Sequence, residues 1–223
     1  MPLAIIGIYE GDRPKRSQIG IYDSRILCEQ CDGELGKLDQ HACEVLLEKN
    51  LAISDLAGGK AIDGNGDTLC YTLEGANPEI IWKFVLSVIW RSHHSTREEV
   101  ARVKLGMHEL KIKAILLNQQ PFTRVPYSVV VEYNPDFKMC MVIGRNRQDG
   151  IMLNTFYARN FGFHMKTDQQ EHSETFRLIS LATDRPVYAM NIRKLDTRFG
   201  KTVVSGLRKN FSKFGTPWKR KVA

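Results

Sequence analysis

The stretch NPEIIWKFVLSVIW, residues 77–90, carries the strongest helix signal in the chain. Asn77 suits the N-cap and Pro78 the first helical position, because the asparagine side chain accepts from unpaired amides and proline has no amide hydrogen to leave unpaired. Apolar residues then recur at helical spacing on one face: Ile80, Ile81, Phe84, Val85, Val88 and Ile89. The apolar run contains Lys83 and is about half as long as a membrane span. We predict a buried helix and no membrane partner.

Further helices are predicted on both sides of this stretch. Before it, helical spacing runs from Gly36 to Asn50 through Leu38, Ala42, Val45 and Leu46. After it, STRE at residues 95–98 matches a capping box, and residues 107–118 place Leu110, Ala114 and Leu117 on one stripe. These segments predict helices that pack together around residues 77–90.

Short strands are predicted near the N-terminus, where AIIGIY and IGIY bracket the polar loop EGDRPKRSQ. The glycine-rich stretch AGGKAIDGNGD, residues 57–67, indicates a hairpin that leads into the strand TLCYTL. A phosphate-binding loop is disfavoured there, because Lys60 is followed by Ala and by a strand rather than by Ser or Thr and a helix.

The pattern changes after Pro121 to short runs rich in Val, Ile, Phe and Tyr, separated by turn sequences: YSVVVEY, MCMVIGR, GIMLNTFYAR, FGFHM, TFRLISLA and VYAMNI. The period of the apolar residues shifts towards two, which predicts an antiparallel sheet of four to six strands. The fold class is therefore α+β, with a CxxC knuckle and helix, central helices, a C-terminal antiparallel sheet and a basic C-terminal segment. We expect either two units, 1–75 and 76–223, or a single domain.

The charge of the chain is concentrated at its C-terminal end. The net charge is +7, yet residues 193–223 hold ten Lys or Arg against one acid, Asp196, so this segment carries +9 and the rest −2. Such a cationic end favours a polyanionic partner, above all nucleic acid. The predicted nucleic-acid-binding residues are Arg208, Lys209, Lys213, Trp218, Lys219, Arg220 and Lys221, in which the cations neutralise phosphates and the aromatic ring stacks on bases. The alternatives are a solvated basic face with aromatics packed on the sheet, and contact with an acidic protein surface.

Two cysteines, Cys28 and Cys31, form a CxxC motif of the kind that holds zinc in metal knuckles. The nearest further ligands are His41 and Cys43, although an i, i+2 pair on a regular helix cannot face one metal. Cys70 and the pair His93 and His94 are alternative ligands from elsewhere in the chain. We favour a reduced, metal-free pair and keep zinc as the alternative cofactor. A redox pair is less favoured, because the surroundings do not resemble a thioredoxin-like βαβ unit. Five cysteines without an export signal favour the cytoplasm.

The stretch GIYDSRILCEQCDGELGKLDQHA, with VLSVIWRSHHS and ARVKLG downstream, resembles a family of bacterial and phage proteins distantly related to HNH-type, treble-clef nucleases. The resemblance covers residues 19–47 and 84–106, and more weakly YARNFGFHM. In fuller relatives an upstream CxxC and a histidine segment complete the zinc site, whereas the 27 residues before Cys28 contain neither Cys nor His. The resemblance therefore implies Cys28 and Cys31 as metal ligands and no catalytic residue. Asp39 matches an acidic position of the family, but we favour a helix-surface role for it.

Three functions follow from these patterns. The favoured one is a non-catalytic, nucleic-acid-associated protein of phage or mobile-element origin with a degenerate nuclease-like knuckle. The first alternative is a protein-interaction module, such as a phage inhibitor or a subunit of a bacterial antiviral defence complex. The second is a metal-dependent HNH-like nuclease that uses His93 and His94 with local acids, namely Glu98, Glu99 or Asp55. Two surface histidines in a loop between helices are the simpler interpretation of His93 and His94.

Overall fold

The protein is represented by a computed structural model, which describes residues 3–5, 15–17, 26–49, 60–61, 69–96, 103–122, 126–133, 139–148, 151–170 and 174–191. The helices within these ranges are α1 (Glu29–Cys43), α2 (Pro78–His94), α3 (His108–Leu116) and α4 (Glu174–Ile179). The strands are β1 (Leu3–Ile5), β2 (Lys15–Ser17), β3 (Lys60–Ala61), β4 (Leu69–Thr72), β5 (Val129–Tyr133), β6 (Met139–Gln148), β7 (Ile151–Arg159), β8 (Phe161–Lys166) and β9 (Tyr188–Asn191). The predicted α+β class is confirmed.

Helix α2 is the central helix, and its predicted start is confirmed. The Asn77 side chain accepts hydrogen bonds from the backbone N–H groups of Glu79 and Ile80, at 3.0 and 3.2 Å. The helix is buried along most of its length, and the indole N–H of Trp82 donates to the Tyr127 carbonyl at 2.7 Å. It continues to His94, so the histidine pair forms its last turn and the predicted position in a connecting loop is wrong.

Helix α1 begins at Glu29, about two turns before the predicted start at Gly36, so it includes Cys31 and two glycines. It continues as a π-helical segment, Glu44–Lys49, which buries Val45 and Leu46. Asp39 of α1 forms a bidentate ion pair with Arg91 of α2, with N–O distances of 2.8 and 2.6 Å. The sequence predicted that Asp39 lies on the surface of a helix. In the structure, Asp39 links α1 to α2.

Seven strands form one mixed sheet in the order β3-β4-β9-β5-β8-β7-β6, and β1 pairs separately with β2. The glycine-rich segment was predicted to be a hairpin or a loop leading into TLCYTL, and it contains β3, which runs antiparallel to β4. The predicted C-terminal sheet is also present, but it is not wholly antiparallel, since β5 and β9 are parallel. Residues 62–68, where the sequence predicts turns, lie outside the described residues.

Two element predictions are wrong. TFRLISLA forms the short helix α4, in which Phe176 and Ile179, three residues apart, are both buried. The strand that pairs with β1 is KRS, inside the predicted polar loop, and IGIY lies outside the described residues. Ser95 is the C-cap of α2. The helix that the capping box predicts after Ser95 falls on residues 97–102, which are not among those described.

The hydrophobic core lies between α2 and one face of the sheet. Phe84 makes edge-to-face contacts with Phe156 of β7 and Phe163 of β8, both with ring centroids 5.8 Å apart. Residues from the N-terminal part of the chain join the same core: Ala42, Val45, Leu46 and Leu73. Since side chains alternate along a strand, the neighbouring residues of β5, β7 and β8 point to the opposite face, where several of them are polar.

Candidate functional site

The seven predicted nucleic-acid-binding residues all lie beyond Asn191, the last described residue. The structure therefore adds nothing to their positions, and their role stays a prediction. Within the described part of the chain, exposed cations include Lys104, Lys111, Lys113 and Arg145, which lie in or near α3 and on β6.

The CxxC motif lies at the N-terminus of α1. Cys28 is the N-cap residue, with an extended backbone (φ −76°, ψ 162°), and its carbonyl accepts the first helical hydrogen bond from the Asp32 N–H at 2.9 Å. Cys31 is in the first turn. Cys28 is exposed and Cys31 is partly buried. The pair forms the start of a helix, where unpaired backbone N–H groups favour negative charge.

The two thiols differ in acidity. The pKa of Cys28 is lowered by hydrogen bonds from the backbone N–H and the thiol of Cys31, with a further contribution from the Gln30 N–H. The pKa of Cys31 is raised, because its thiol donates to Cys28 and lies beside that negative charge, while Lys113 of α3 acts in the opposite direction. Cys28 is therefore the more readily ionised thiol, and Cys31 tends to keep its proton.

The structure brings Cys28 and Cys31 together but not the other two predicted zinc ligands. His41 and Cys43 lie near the far end of α1, and a rise of 1.5 Å per residue places His41 about 15 Å from Cys31 along the helix axis. His41 accepts a hydrogen bond from the Asn77 N–H at 3.2 Å through its Nε2. Among the residues described, no group of three or more His, Cys, Asp or Glu is arranged to hold a metal. Zinc at the CxxC pair stays a prediction.

His93 and His94 make separate local contacts at the end of α2. His93 Nδ1 lies 3.4 Å from the Val103 carbonyl and 3.5 Å from the Leu105 amide nitrogen. His94 Nε2 lies 3.2 Å from a carboxylate oxygen of Glu109, which also accepts from the Trp90 indole at 3.3 Å. The contacts with Glu109 link α2 to α3, and those of His93 link α2 to the segment that precedes α3. The acids that the sequence suggested as partners are outside the described residues: Asp55, Glu98 and Glu99.

A buried polar chain on the sheet was missed by the sequence analysis. His164 of β8 connects Glu132 of β5 to Thr155 of β7, with His164 Nε2 2.8 Å from the Glu132 carboxylate and Nδ1 3.2 Å from the Thr155 hydroxyl. The exposed fractions of Glu132, Thr155 and His164 are 1%, 1% and 3%. A substrate cannot reach these groups in this conformation, so we assign the chain of contacts to stabilising the three central strands. The signal in the sequence was a Glu and a His within otherwise apolar strands.

Two further polar groups lie on the same face of the sheet. Burial, and then the nearby negative charge of Glu132, raise the pKa of Tyr157 well above its ordinary value. Lys166 is the last residue of β8, two residues after His164. Its ammonium is fully buried and pairs with the carboxylate of Asp168. It also donates to the Asp168 carbonyl at 2.7 Å. The buried charge is thereby compensated by a local partner.

Comparison with known proteins gives no relative from which a function could be transferred. No family model matches the chain. No curated protein and no solved structure matches it either. The helices described in the structure include none with the length and apolar character required to span a membrane.

Proposed function

We propose that the chain binds nucleic acid through its C-terminal basic segment, residues 193–223, without taking part in catalysis. The supporting observation is the charge distribution, in which this segment carries +9 while the rest of the chain carries −2. Lys and Arg side chains release condensed counterions when they neutralise phosphates, which gives affinity without sequence specificity. Aromatic residues between the cations, including Trp218, add a surface on which unpaired bases can stack.

The exposed cations of α3 and β6 give this proposal secondary support. Arg145 and Lys111 lie close enough to His108 to contribute to the lowering of its pKa, after the larger effect of burial. A positive potential at this surface would extend the area over which a polyanion is attracted. The alternative, a protein-interaction module, has no support comparable to this uneven distribution of charge.

The test is a binding titration of the full chain against labelled single-stranded and duplex oligonucleotides at several salt concentrations. The tail variant is Lys219→Gln/Arg220→Gln/Lys221→Gln. The matched control, Lys37→Gln/Lys49→Gln/Arg177→Gln, removes the same net charge from exposed positions outside the C-terminal segment and outside the cations of α3 and β6. If each tail cation contacts a phosphate, the slope of log K against log salt decreases in magnitude by about 2–3 in the tail variant, with little change in the control.

Equal losses of affinity in the two variants would mean that net charge alone attracts the polymer and that the C-terminal segment is not the binding site. Affinity that is independent of salt would contradict the proposal as well. A chain that instead forms a stoichiometric complex with another protein and has no affinity for nucleic acid would support the interaction module.

A further inference from the structure

The start of α1 combines features that the proposed nucleic-acid binding does not use. Two cysteines lie one helical turn apart at the start of the helix, and the first of them is exposed. We propose that Cys28 and Cys31 form a redox-active dithiol that exchanges with disulfides. This function is independent of the C-terminal basic segment.

The geometry allows the two sulfurs to be joined by a small local movement. Residues three apart on a helix have Cβ atoms about 5–6 Å apart, and a disulfide needs about 3.5–4.5 Å. Cys28 is the N-cap residue and has an extended backbone, so its side chain can turn towards Cys31 without unwinding α1.

The roles of the two cysteines follow from their surroundings. Cys28 is the exposed cysteine of the pair and lies at the N-terminus of α1, where unpaired backbone N–H groups favour a thiolate, so it is the attacking group. Cys31 is less exposed and lies in the first turn, so it is the second nucleophile, which acts after Cys28 has reacted.

The reaction is a two-electron exchange with a disulfide as the oxidant. The Cys28 thiolate attacks one sulfur of the disulfide R–S–S–R′, so that a Cys28–S–S–R bond forms and R′–S⁻ leaves. The Cys31 thiolate then attacks the Cys28 sulfur, which closes the Cys28–Cys31 disulfide and releases R–S⁻. The two protons of the protein thiols end on the released thiolates. The dithiol is oxidised, and R–S–S–R′ is reduced to two thiols.

This pairing needs only the two residues that the structure brings together. A tetrahedral zinc site would need two more ligands. His41 and Cys43, which the sequence offered for that purpose, lie at the other end of α1. The described geometry therefore matches a dithiol more closely than the predicted four-residue site.

The test uses oxidised glutathione as the disulfide and the full chain, reduced and freed of small thiols. Thiols are counted by alkylation and intact mass, and the modified residues are located by peptide mass spectrometry. We expect the wild-type count to fall from five to three with no glutathione retained. Dithiothreitol should restore all five. The Cys31→Ser variant should keep one glutathione on Cys28, because no second thiol can displace it.

Two variants serve as controls. Rates are compared at the cysteine of the pair that remains: Cys31 in Cys28→Ser should react with oxidised glutathione at least about tenfold more slowly than Cys28 in Cys31→Ser, because Cys31 is the less exposed thiol. Cys43→Ser removes an exposed cysteine at the far end of α1 and should close the Cys28–Cys31 disulfide as the wild type does. The proposal is overturned if the wild type loses no thiols, if it retains glutathione on Cys28, or if Cys28→Ser reacts as fast as Cys31→Ser. Zinc that stays bound to both thiols and blocks the exchange would overturn it too.

Discussion

At the scale of single residues, the neighbours of Gly162 on the adjacent strands leave no space for a side chain at this position of β8. A Cβ atom at this position would lie 2.6 Å from a ring carbon of Tyr157 and 3.2 Å from the carboxylate carbon of Glu132. We expect Gly162→Ala to lower the free energy of unfolding by about 1–3 kcal/mol, because neither buried neighbour can move without disturbing the polar chain. Urea denaturation measures this change.

Gly36 in α1 is the matched control for that substitution, because a Cβ there would meet no atom within 4 Å. Gly36→Ala should raise the free energy of unfolding by roughly 0.5–1 kcal/mol, since alanine is the better helix former. If the two alanine variants have the same stability, the close packing around Gly162 is not present in solution.

The ion pair between Lys166 and Asp168 gives the molecule part of its acid sensitivity. Burial raises the pKa of Asp168, but hydrogen bonds from Lys166 and the Met152 N–H, together with the Lys166 charge, outweigh it and leave that pKa below its ordinary value. A lowered carboxyl pKa contributes stability above the unfolded pKa of about 4, and this stability is lost as the pH falls towards the folded value. Asp168→Asn should therefore flatten the dependence of stability on pH below about pH 4.

The same pair can be examined at neutral pH by a double-mutant cycle. Asp168→Asn leaves the fully buried Lys166 ammonium without its carboxylate, which should cost roughly 3–5 kcal/mol. Adding Lys166→Met removes the buried charge and should recover most of that loss. Additive costs in the double variant would show that the two side chains do not interact in solution.

At the scale of elements, α3 shows how a short helix can be assigned the wrong buried face. The sequence favoured a stripe through Leu110 and Leu117, but these are 71% and 49% exposed, while Ile112 and Ile115 are fully buried. The apolar side chains of α3 lie on more than one side of this helix of nine residues. Packing against α2 decides which of them are buried. We expect Ile112→Ala to cost about 2–5 kcal/mol and Leu110→Ala less than about 0.5 kcal/mol in urea unfolding. The reverse order would restore the predicted stripe.

The elements that the sequence predicted well carry their own local signals. The start of α2 follows from the Asn77-Pro78 cap, and β5 to β8 follow from β-branched and aromatic runs separated by turns. TFRLISLA had no such signal, because a short apolar run fits either period. The start of α1 was hidden by Gly33 and Gly36, which weaken a helix pattern. Contacts such as that between Glu132 and His164 depend on strand register and cannot be read from local spacing.

At the scale of the whole molecule, the two predicted units, 1–75 and 76–223, share structure across their boundary. Strand β4 pairs with β9, and Leu46 belongs to the same core as Leu86 of α2. A shared core and sheet favour one cooperative unfolding transition. We therefore expect Leu46→Ala and Leu86→Ala each to move a single transition by about 2–5 kcal/mol, although they lie in different predicted units.

This expectation is tested by urea unfolding followed by both tryptophan fluorescence and far-UV circular dichroism. Trp82 and Trp90 lie in α2, so fluorescence reports mainly on the second unit, whereas dichroism also reports on α1. The two signals should change together in the wild type and in both leucine variants. Lys37→Ala, on the exposed surface of α1, should leave the midpoint unchanged. A Leu46→Ala variant that lost its dichroism before its fluorescence would establish two independent units, because a shared core cannot lose α1 while the surroundings of α2 stay intact.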